Sequence, residues 1–379
     1  MGKPRFAMVA GEASGDLLAG HVLDAMRSRW PDLVAQGIGG AQMQARRFEP
    51  WWPAEKLSVS GYAEVLRHLR EILGIRDALR QRLLADRPDL FIGVDAPDFN
   101  LGLEEQLRGQ GIKTVHFVCP SIWAWRMKRV EKLKRACDHV LCIFPFEPEL
   151  LAKHGVPATY VGHPLASAIP MEPDRAGARA QLGLSPDGEV IAVLPGSRAS
   201  EIEAMLPRFL AAAALLQKQR PDAAFVIPAV PHLQARISEL ARRGPSPRRL
   251  VIVPGQSHAV LAACDLALVT SGTATLEAAL FKRPMVIAYH THWLTYALMK
   301  PRALQPWVGL PNILCREFVV PELLQSNAKP ELLARALADW LGSPDRMQAV
   351  QEKFRVLHSE LRRDTATLAA NAIEKVLAH

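Results

Sequence analysis

Short apolar runs alternate with amphipathic segments, and this pattern starts again halfway along the chain. No other feature constrains the fold as strongly. In the first half the runs are residues 6–10, 33–38, 90–94, 114–118, 139–143 and 159–161, with helical apolar spacing between them at 17–29, 63–84, 101–108, 130–136 and 148–154. Near-continuous apolar strands separated by helices predict a parallel sheet covered on both faces. The stretch 164–186 is rich in Pro, Asp and Gly and reads as a linker. The alternation then resumes with runs at 190–194, 224–228, 250–253, 266–269 and 285–288, and 330–379 is helical without strands. At 379 residues the chain is too long for one ordinary core. The expected architecture is α/β: two doubly wound domains, 1–165 and 186–343, and C-terminal helices at 344–379 returning to the first domain. In such sheets ligands bind beyond the carboxyl ends of the strands, so a site is expected in a cleft between facing domains.

Two strand ends in the second half carry an anion-binding signature. Leu194-Pro195-Gly196-Ser197-Arg198 and Ser271-Gly272-Thr273-Ala274-Thr275-Leu276-Glu277 each follow an apolar run and precede a helical pattern. Small residues there leave backbone N–H groups at the positive end of a helix dipole, which suits phosphate. Arg198 adds a charged fork for a diphosphate, and Glu277 can accept from the paired hydroxyls of a ribose. Gly196, Ser197, Arg198, Gly255, Ser271, Gly272, Thr273 and Glu277 are therefore the expected nucleotide-diphosphate residues, the alternative being that each turn only caps its helix.

The first half offers the acid–base chemistry. Residues 6–10 lead into Gly11-Glu12-Ala13-Ser14-Gly15-Asp16, and residues 90–94 into Asp95-Ala96-Pro97-Asp98-Phe99-Asn100. The first loop lacks the lysine of a Walker motif, and neither it nor Gly37-Ile38-Gly39-Gly40 matches a dinucleotide fingerprint. Ser14 and Asp16 suit helix capping, whereas Glu12 at a strand end faces the expected cleft. Asp95 stands where a general base belongs, and Asp98 is placed to cap the helix from Phe99. No metal is expected: there is no Asp-x-Asp, and His290 with His292 has no third ligand in view.

A net charge of +8 calls for an anionic partner, but no nucleic-acid-binding signature accompanies the basic block Arg126, Lys128, Arg129, Lys132, Lys134 and Arg135. Five cysteines without a CxxC pair read as reduced thiols, and no secretory signal or membrane-spanning run is evident, which predicts a cytosolic protein. Trp51-Trp52 precedes Val59, Tyr62, Val65, Leu66 and Leu69 with arginines interleaved, and 293–314 carries Trp293, Tyr296, Leu298, Met299, Lys300, Arg302 and Trp307. Both segments read either as interfacial contacts with anionic lipid or as core-facing helices with a wet basic side.

These motifs, together with Pro120-Ser121-Ile122-Trp123-Ala124-Trp125-Arg126, Gly162-His163-Pro164 and Leu310-Pro311-Asn312, resemble the lipid-A-disaccharide synthases over nearly the whole length. The resemblance implies a GT-B glycosyltransferase of two Rossmann-like domains. It also implies a reaction joining UDP-2,3-diacylglucosamine to 2,3-diacylglucosamine 1-phosphate, with inversion, to give a β-1,6-linked disaccharide and UDP. By that resemblance Asp95 is the expected base, Glu12, Asp98 and Asn312 complete the catalytic set, Arg198 faces the diphosphate and Glu277 holds the ribose. No cofactor is implied. The implied location is peripheral, on the cytoplasmic face of the inner membrane, with anionic lipid as a partner and room for a homodimer. A UDP-sugar isomerase, a nucleotide-sugar sensor and a transferase acting on a lipid-linked peptidoglycan precursor are the competing readings.

Overall fold

Strands apolar on both faces must be covered on both faces, and the computed structural model covers them in this way twice. It describes residues 3–57, 62–125, 127–291 and 304–378. Two units result, Met1–Ser167 with Leu361–His379, and Ala168–Glu360.

In the first unit the elements run β1 (Arg5–Ala10), α1 (Ala13–Arg29), β2 (Val34–Gly39), α2 (Ala41–Gln44), β3 (Glu49–Pro53), α3 (Tyr62–Asp86), β4 (Leu90–Val94), α4 (Pro97–Arg108), β5 (Lys113–Phe117), α5 (Ile122–Trp125), α6 (Arg129–Ala136), β6 (His139–Cys142), α7 (Glu147–Ala152), β7 (Ala158–Tyr160) and α8 (Pro164–Ala168). The sheet is parallel, in the order β3-β2-β1-β4-β5-β6-β7. Ala7, Val9 and Phe91 share a core with Leu79 and Leu83 of α3 and Leu103 and Leu107 of α4.

The second unit continues with α9 (Arg175–Gln181), β8 (Val190–Leu194), α10 (Ala199–Gln219), β9 (Ala224–Ala229), α11 (Gln234–Arg243), β10 (Leu250–Pro254), α12 (Ser257–Ala263), β11 (Leu266–Thr270), α13 (Thr273–Leu280), β12 (Met285–Tyr289), α14 (Leu310–Cys315), β13 (Glu322–Leu324), α15 (Pro330–Leu341) and α16 (Pro344–Leu361). Its parallel sheet has the order β10-β9-β8-β11-β12-β13. The chain ends in α17 (Thr365–Ala378), which lies in the first unit. There Glu374 pairs with Arg29 at 3.0 Å, and the Lys113 ammonium donates to the carbonyls of Val376 and Leu377, where the helix dipole is negative.

Three sequence expectations change. The residues read as a linker hold α8 and α9, and the wholly buried Arg179 guanidinium ties that segment to the carbonyls of Ala263, Ser185, Pro186 and Gly188 and to Asp265. Two edge strands, β3 and β13, had no periodic signal: β3 carries Pro50 and Pro53, tolerable only at an edge. The helices from 344 onward divide, with α16 up to Glu360 grouped with the second unit and only the last residues with the first.

Candidate active site

Each sheet reverses its strand order once, between β1 and β4 in the first and between β8 and β11 in the second. Ligands of doubly wound folds bind at such switch points. Ala10 lies beside Val94 across the first switch, so the loops bearing Glu12 and Asp95 leave from neighbouring strand ends. Leu194 lies beside Val269 across the second, so the turns bearing Arg198 and Ser271–Thr273 do the same.

At the first switch, Glu12 is exposed at the N-cap of α1, and its carbonyl accepts from the Asp16 amide at 2.9 Å. Ser14 is exposed as well. Asp16 does cap a helix, though a distant one: its buried carboxylate accepts from the amides of Gly40, Gln42 and Met43 at 2.8, 2.9 and 3.2 Å, at the start of α2. A Cβ on Gly40 would lie 2.7 Å from that carboxylate, which accounts for one glycine of the Gly37–Gly40 cluster without a ligand.

Asp95 is half-buried with φ +52, and Ala96 follows at φ +44. The Asp95 amide donates to the Phe117 carbonyl at 2.8 Å, and its own carbonyl accepts from Asn100 Nδ2 at 2.8 Å. The turn is thus held on both sides of the aspartate. Asp98 departs from expectation: Ala96 is the N-cap of α4, without a side-chain cap bond, and the exposed Asp98 carboxylate in the first turn pairs with Arg129 of α6. Arg135 likewise pairs with Glu105 at 2.6 Å, so two members of the basic block brace α6 against α4. Arg126 lies outside the described residues.

At the second switch, the amides expected to await phosphate at the start of α10 are filled. Glu201 folds back so that Oε2 accepts from the amides of Ser197 and Arg198 at 3.1 and 3.3 Å, while Oε1 accepts from the Arg198 guanidinium at 3.2 Å. Gly196, at φ +113, permits this, since a Cβ there would lie 2.6 Å from the Glu201 side chain. The signal for Glu201 was present in the sequence as an acid three residues after the N-cap. Gly272 is the N-cap of α13 at φ +150, with open space where a Cβ would stand, and Thr273 beside it is exposed. Ser271 is half-buried, and its amide donates to the Ala288 carbonyl at 3.2 Å. Gly255, at φ +63, ends β10, its amide bonded to Ala229 O at 2.7 Å.

Glu277 faces a residue the sequence reading passed over. His258 of α12 lies with Nε2 3.6 Å from its carboxylate, and that interaction raises the imidazole pKa against the opposing effect of burial. Asn312 is wholly buried, and its amide is engaged with Val320 N and O at 3.0 and 2.9 Å and with Glu322 at 2.8 Å. Glu322 also accepts from the amides of Val308 and Gly309, so in this arrangement Asn312 and Glu322 shape the segment 308–322 from within.

His290 is half-buried, with its pKa lowered by burial and then by Arg208, while His292 lies outside the described residues. Two buried clusters with metal-ligand chemistry occur among the described residues: Glu104, His116 and Cys137, and Cys119, Cys142 and Glu147. In the first, His116 Nδ1 bonds to Glu104 Oε1 at 2.8 Å and Cys137 Sγ donates to Oε2 at 3.4 Å, directly behind Gly93. All five cysteines are free.

Trp51 and Trp52 are half-buried in β3 against the first unit's core, with the Arg82 guanidinium 4.0 Å over the Trp51 ring. The side chains of Val59, Tyr62, Val65, Leu66 and Leu69, and the residues Trp293, Tyr296, Leu298, Met299, Lys300 and Arg302, lie outside the described residues. Trp307 packs edge-on to Phe318 at 6.2 Å. No helix among the described residues is long and apolar enough to cross a membrane.

Comparison with known proteins gives a consistent result. Residues 6–376 match a family model described as lipid-A-disaccharide synthetase. The lipid-A-disaccharide synthase of Albidiferax ferrireducens is 60% identical over 376 residues, covering 98% of this chain and 97% of that protein. That of Burkholderia pseudomallei is 52% identical over 375 residues, covering 98% and 96%. Among solved structures, the calicheamicin glycosyltransferase CalG4 superposes with a TM-score of 0.61 at 16% identity, covering 100% of this chain and 99% of its own. MurG of Acinetobacter baumannii gives 0.58 at 15% identity, covering 99% and 100%. The UDP-GlcNAc 2-epimerase of Neisseria meningitidis gives 0.59 at 12% identity, covering 99% of each chain. These likenesses of shape establish the GT-B fold and nothing finer.

Proposed function

The chain belongs to the lipid-A-disaccharide synthase family and is a glycosyltransferase that forms the lipid A disaccharide, and on that premise we propose how its residues divide the work. The donor is UDP-2,3-diacylglucosamine and the acceptor 2,3-diacylglucosamine 1-phosphate. Transfer occurs in one displacement with inversion, giving the β-1,6 linkage. Asp95 takes the proton of the acceptor 6-hydroxyl, and Glu12 flanks the same switch point. Arg198, with the amides of Ser197 and the Gly272–Thr273 turn, meets the diphosphate as negative charge develops on departing UDP. Glu277 holds the ribose hydroxyls, steadied by His258, and Asn312 acts through the segment it shapes rather than by touching sugar.

One observation carries this reading: the carboxylates stand at the switch point of one sheet and the Gly-Ser-Arg and Ser-Gly-Thr turns at that of the other. Both substrates bear acyl chains, so the enzyme works at the cytoplasmic surface of the inner membrane, to which its net charge of +8 draws it. Base catalysis contributes about 10²–10⁴-fold, with positioning and leaving-group stabilisation supplying the rest.

The test is UDP release from UDP-2,3-diacylglucosamine, with and without the acceptor, in detergent. Acceptor-dependent release that Asp95→Ala abolishes, with UDP binding retained, is the expected outcome. Full activity in Asp95→Ala would remove the base assignment. Conversion of the UDP-sugar without acceptor would point to isomerase chemistry instead.

A further inference from the structure

We propose that Glu147, outside every motif assigned above, is a positioning residue that sets the place of Asp95 through Trp123 and the strained turn after β5. The proposal rests on the reading of Asp95 as the base. Glu147 opens α7, and its carboxyl group is wholly buried, with Oε1 accepting from the Trp123 indole N–H at 3.0 Å and Oε2 from the Phe144 amide at 3.0 Å. The Trp123 ring meets Phe144 and Phe146 edge-on, with centroids 6.0 and 5.4 Å away. A buried carboxyl group with an indole N–H aimed at it fixes both position and rotation of the ring, which apolar packing alone would leave freer.

Trp123 lies in the segment that leaves β5. Between the two is Val118 at φ +76, a left-handed conformation that a β-branched residue strongly disfavours. Asp95 and Ala96 are left-handed on the adjacent strand end, so three left-handed residues from two strand ends surround one backbone contact, the Asp95 amide on the Phe117 carbonyl at 2.8 Å. Strain of this kind persists only where the surroundings over-determine it. On the Asp95 side Asn100 supplies the restraint. On the other side the Val118 amide is tied to Leu141 O at 3.0 Å, and the segment beyond it is anchored by Trp123 on Glu147. The path from Glu147 to Asp95 is therefore a bond, a short helix, a strained turn and a second bond. Loosening its far end lets the Phe117 carbonyl, and the aspartate that depends on it, drift.

The experiment compares Glu147→Ala, Glu147→Gln, Trp123→Phe and the Glu147→Ala/Trp123→Phe pair with Asp95→Ala in the full chain. It reads kcat, the KM of each substrate, UDP affinity and the urea midpoint. A misplacement on the order of 1 Å costs about 100-fold in rate, so Glu147→Ala is expected to lower kcat by about 10- to 100-fold. UDP affinity should not change. Trp123→Phe keeps the ring and loses only the N–H, and should lower kcat less. The double variant should be no slower than Glu147→Ala alone, and Glu147→Gln, which keeps an acceptor for the indole, should recover most of the rate. A folded Glu147→Ala enzyme with kcat within about twofold of the parent, beside an inactive Asp95→Ala, overturns this proposal alone. An active Asp95→Ala enzyme overturns the base assignment and this proposal with it. Should Glu147→Ala not fold, Trp123→Phe with unchanged kcat overturns the proposal by itself.

Discussion

Removing the Glu201 carboxylate should make the protein less stable and its grip on UDP tighter, and these opposite signs make the test sharp. In the structure Glu201 holds the amides of Ser197 and Arg198 and the Arg198 guanidinium, with 73% of the Arg198 side chain exposed and 16% of the Glu201 side chain. A diphosphate that uses the same amides has to displace it. The displaced capping interaction is worth about 1 kcal/mol, and the exposed ion pair at most about another 1 kcal/mol. Release from a competitor worth about 1–2 kcal/mol tightens binding roughly 5- to 30-fold. Glu201→Ala should therefore lower the Kd for UDP by about that factor, and Glu201→Gln by less, since an amide still bonds without the charge. Isothermal titration at fixed ionic strength measures the affinity, and urea unfolding should show a loss of about 1–2 kcal/mol for the second unit. UDP binding that weakens or stays the same in a folded Glu201→Ala protein would refute the reasoning. Glu201 would then be a support for Arg198 and not an occupant of the phosphate's place.

Other outcomes follow from buried groups. His163 is buried with its pKa lowered from 6.5 to about 4 by desolvation, and its Nδ1 accepts from the Leu165 amide at 3.2 Å. The folded state therefore binds fewer protons than the unfolded, so this contribution is complete above about pH 6.5 and is lost as pH falls toward 4; at 1.36 kcal/mol per unit it amounts to roughly 3 kcal/mol. Urea midpoints over that window should fall less steeply in His163→Gln. Glu147 has the opposite sign: its folded pKa is raised from 4.5 to about 8 by burial, so its contribution is present below about 4.5 and is lost as pH rises toward 8. Glu147→Gln should flatten the decline between about pH 4.5 and 8. In Gly93→Ala the new Cβ would lie 2.1 Å from Glu104 Oε1 and 2.9 Å from Asn100 Cβ, costing about 1–3 kcal/mol and lowering the melting temperature of the first unit by several degrees. An unchanged melting temperature would mean that the Glu104–His116 pair yields without cost.

The strands that sequence periodicity marked most cleanly are those buried on both faces, because burial on two sides leaves an uninterrupted apolar run: Leu90–Val94 and Val190–Leu194 have the predicted bounds. Edge strands satisfy fewer neighbours and carry weaker patterns: Ala158–Tyr160 and Leu250–Pro254 still showed as apolar runs, whereas Glu49–Pro53, with its two prolines, and the three-residue Glu322–Leu324 left no such mark. Positions at strand ends were legible for the same reason as the strands, and the topology brought them to the two switch points. What each side chain bonds to was less legible. Glu201 lies one turn from Arg198 and had a local signal, whereas Glu147 on Trp123, His258 on Glu277 and Asp16 on Gly40 join residues 24, 19 and 24 positions apart, and no local pattern encodes them. Asp98 shows the reverse case: a capping residue by its local pattern, it is instead claimed by Arg129 from another helix.

The return of α17 to the first unit has a consequence for synthesis. Arg29 waits for Glu374, 345 residues further on, and Lys113 for the carbonyls of Val376 and Leu377. At about 5–20 residues per second the ribosome needs roughly 10–40 s to go from Ser167 to that helix, having made the whole of the second unit in between. For that interval the surface that will receive Ala369, Ala370 and Ile373 is bare. Truncating the last helix should therefore leave a polypeptide whose defect appears at its beginning, as aggregation of the half made first.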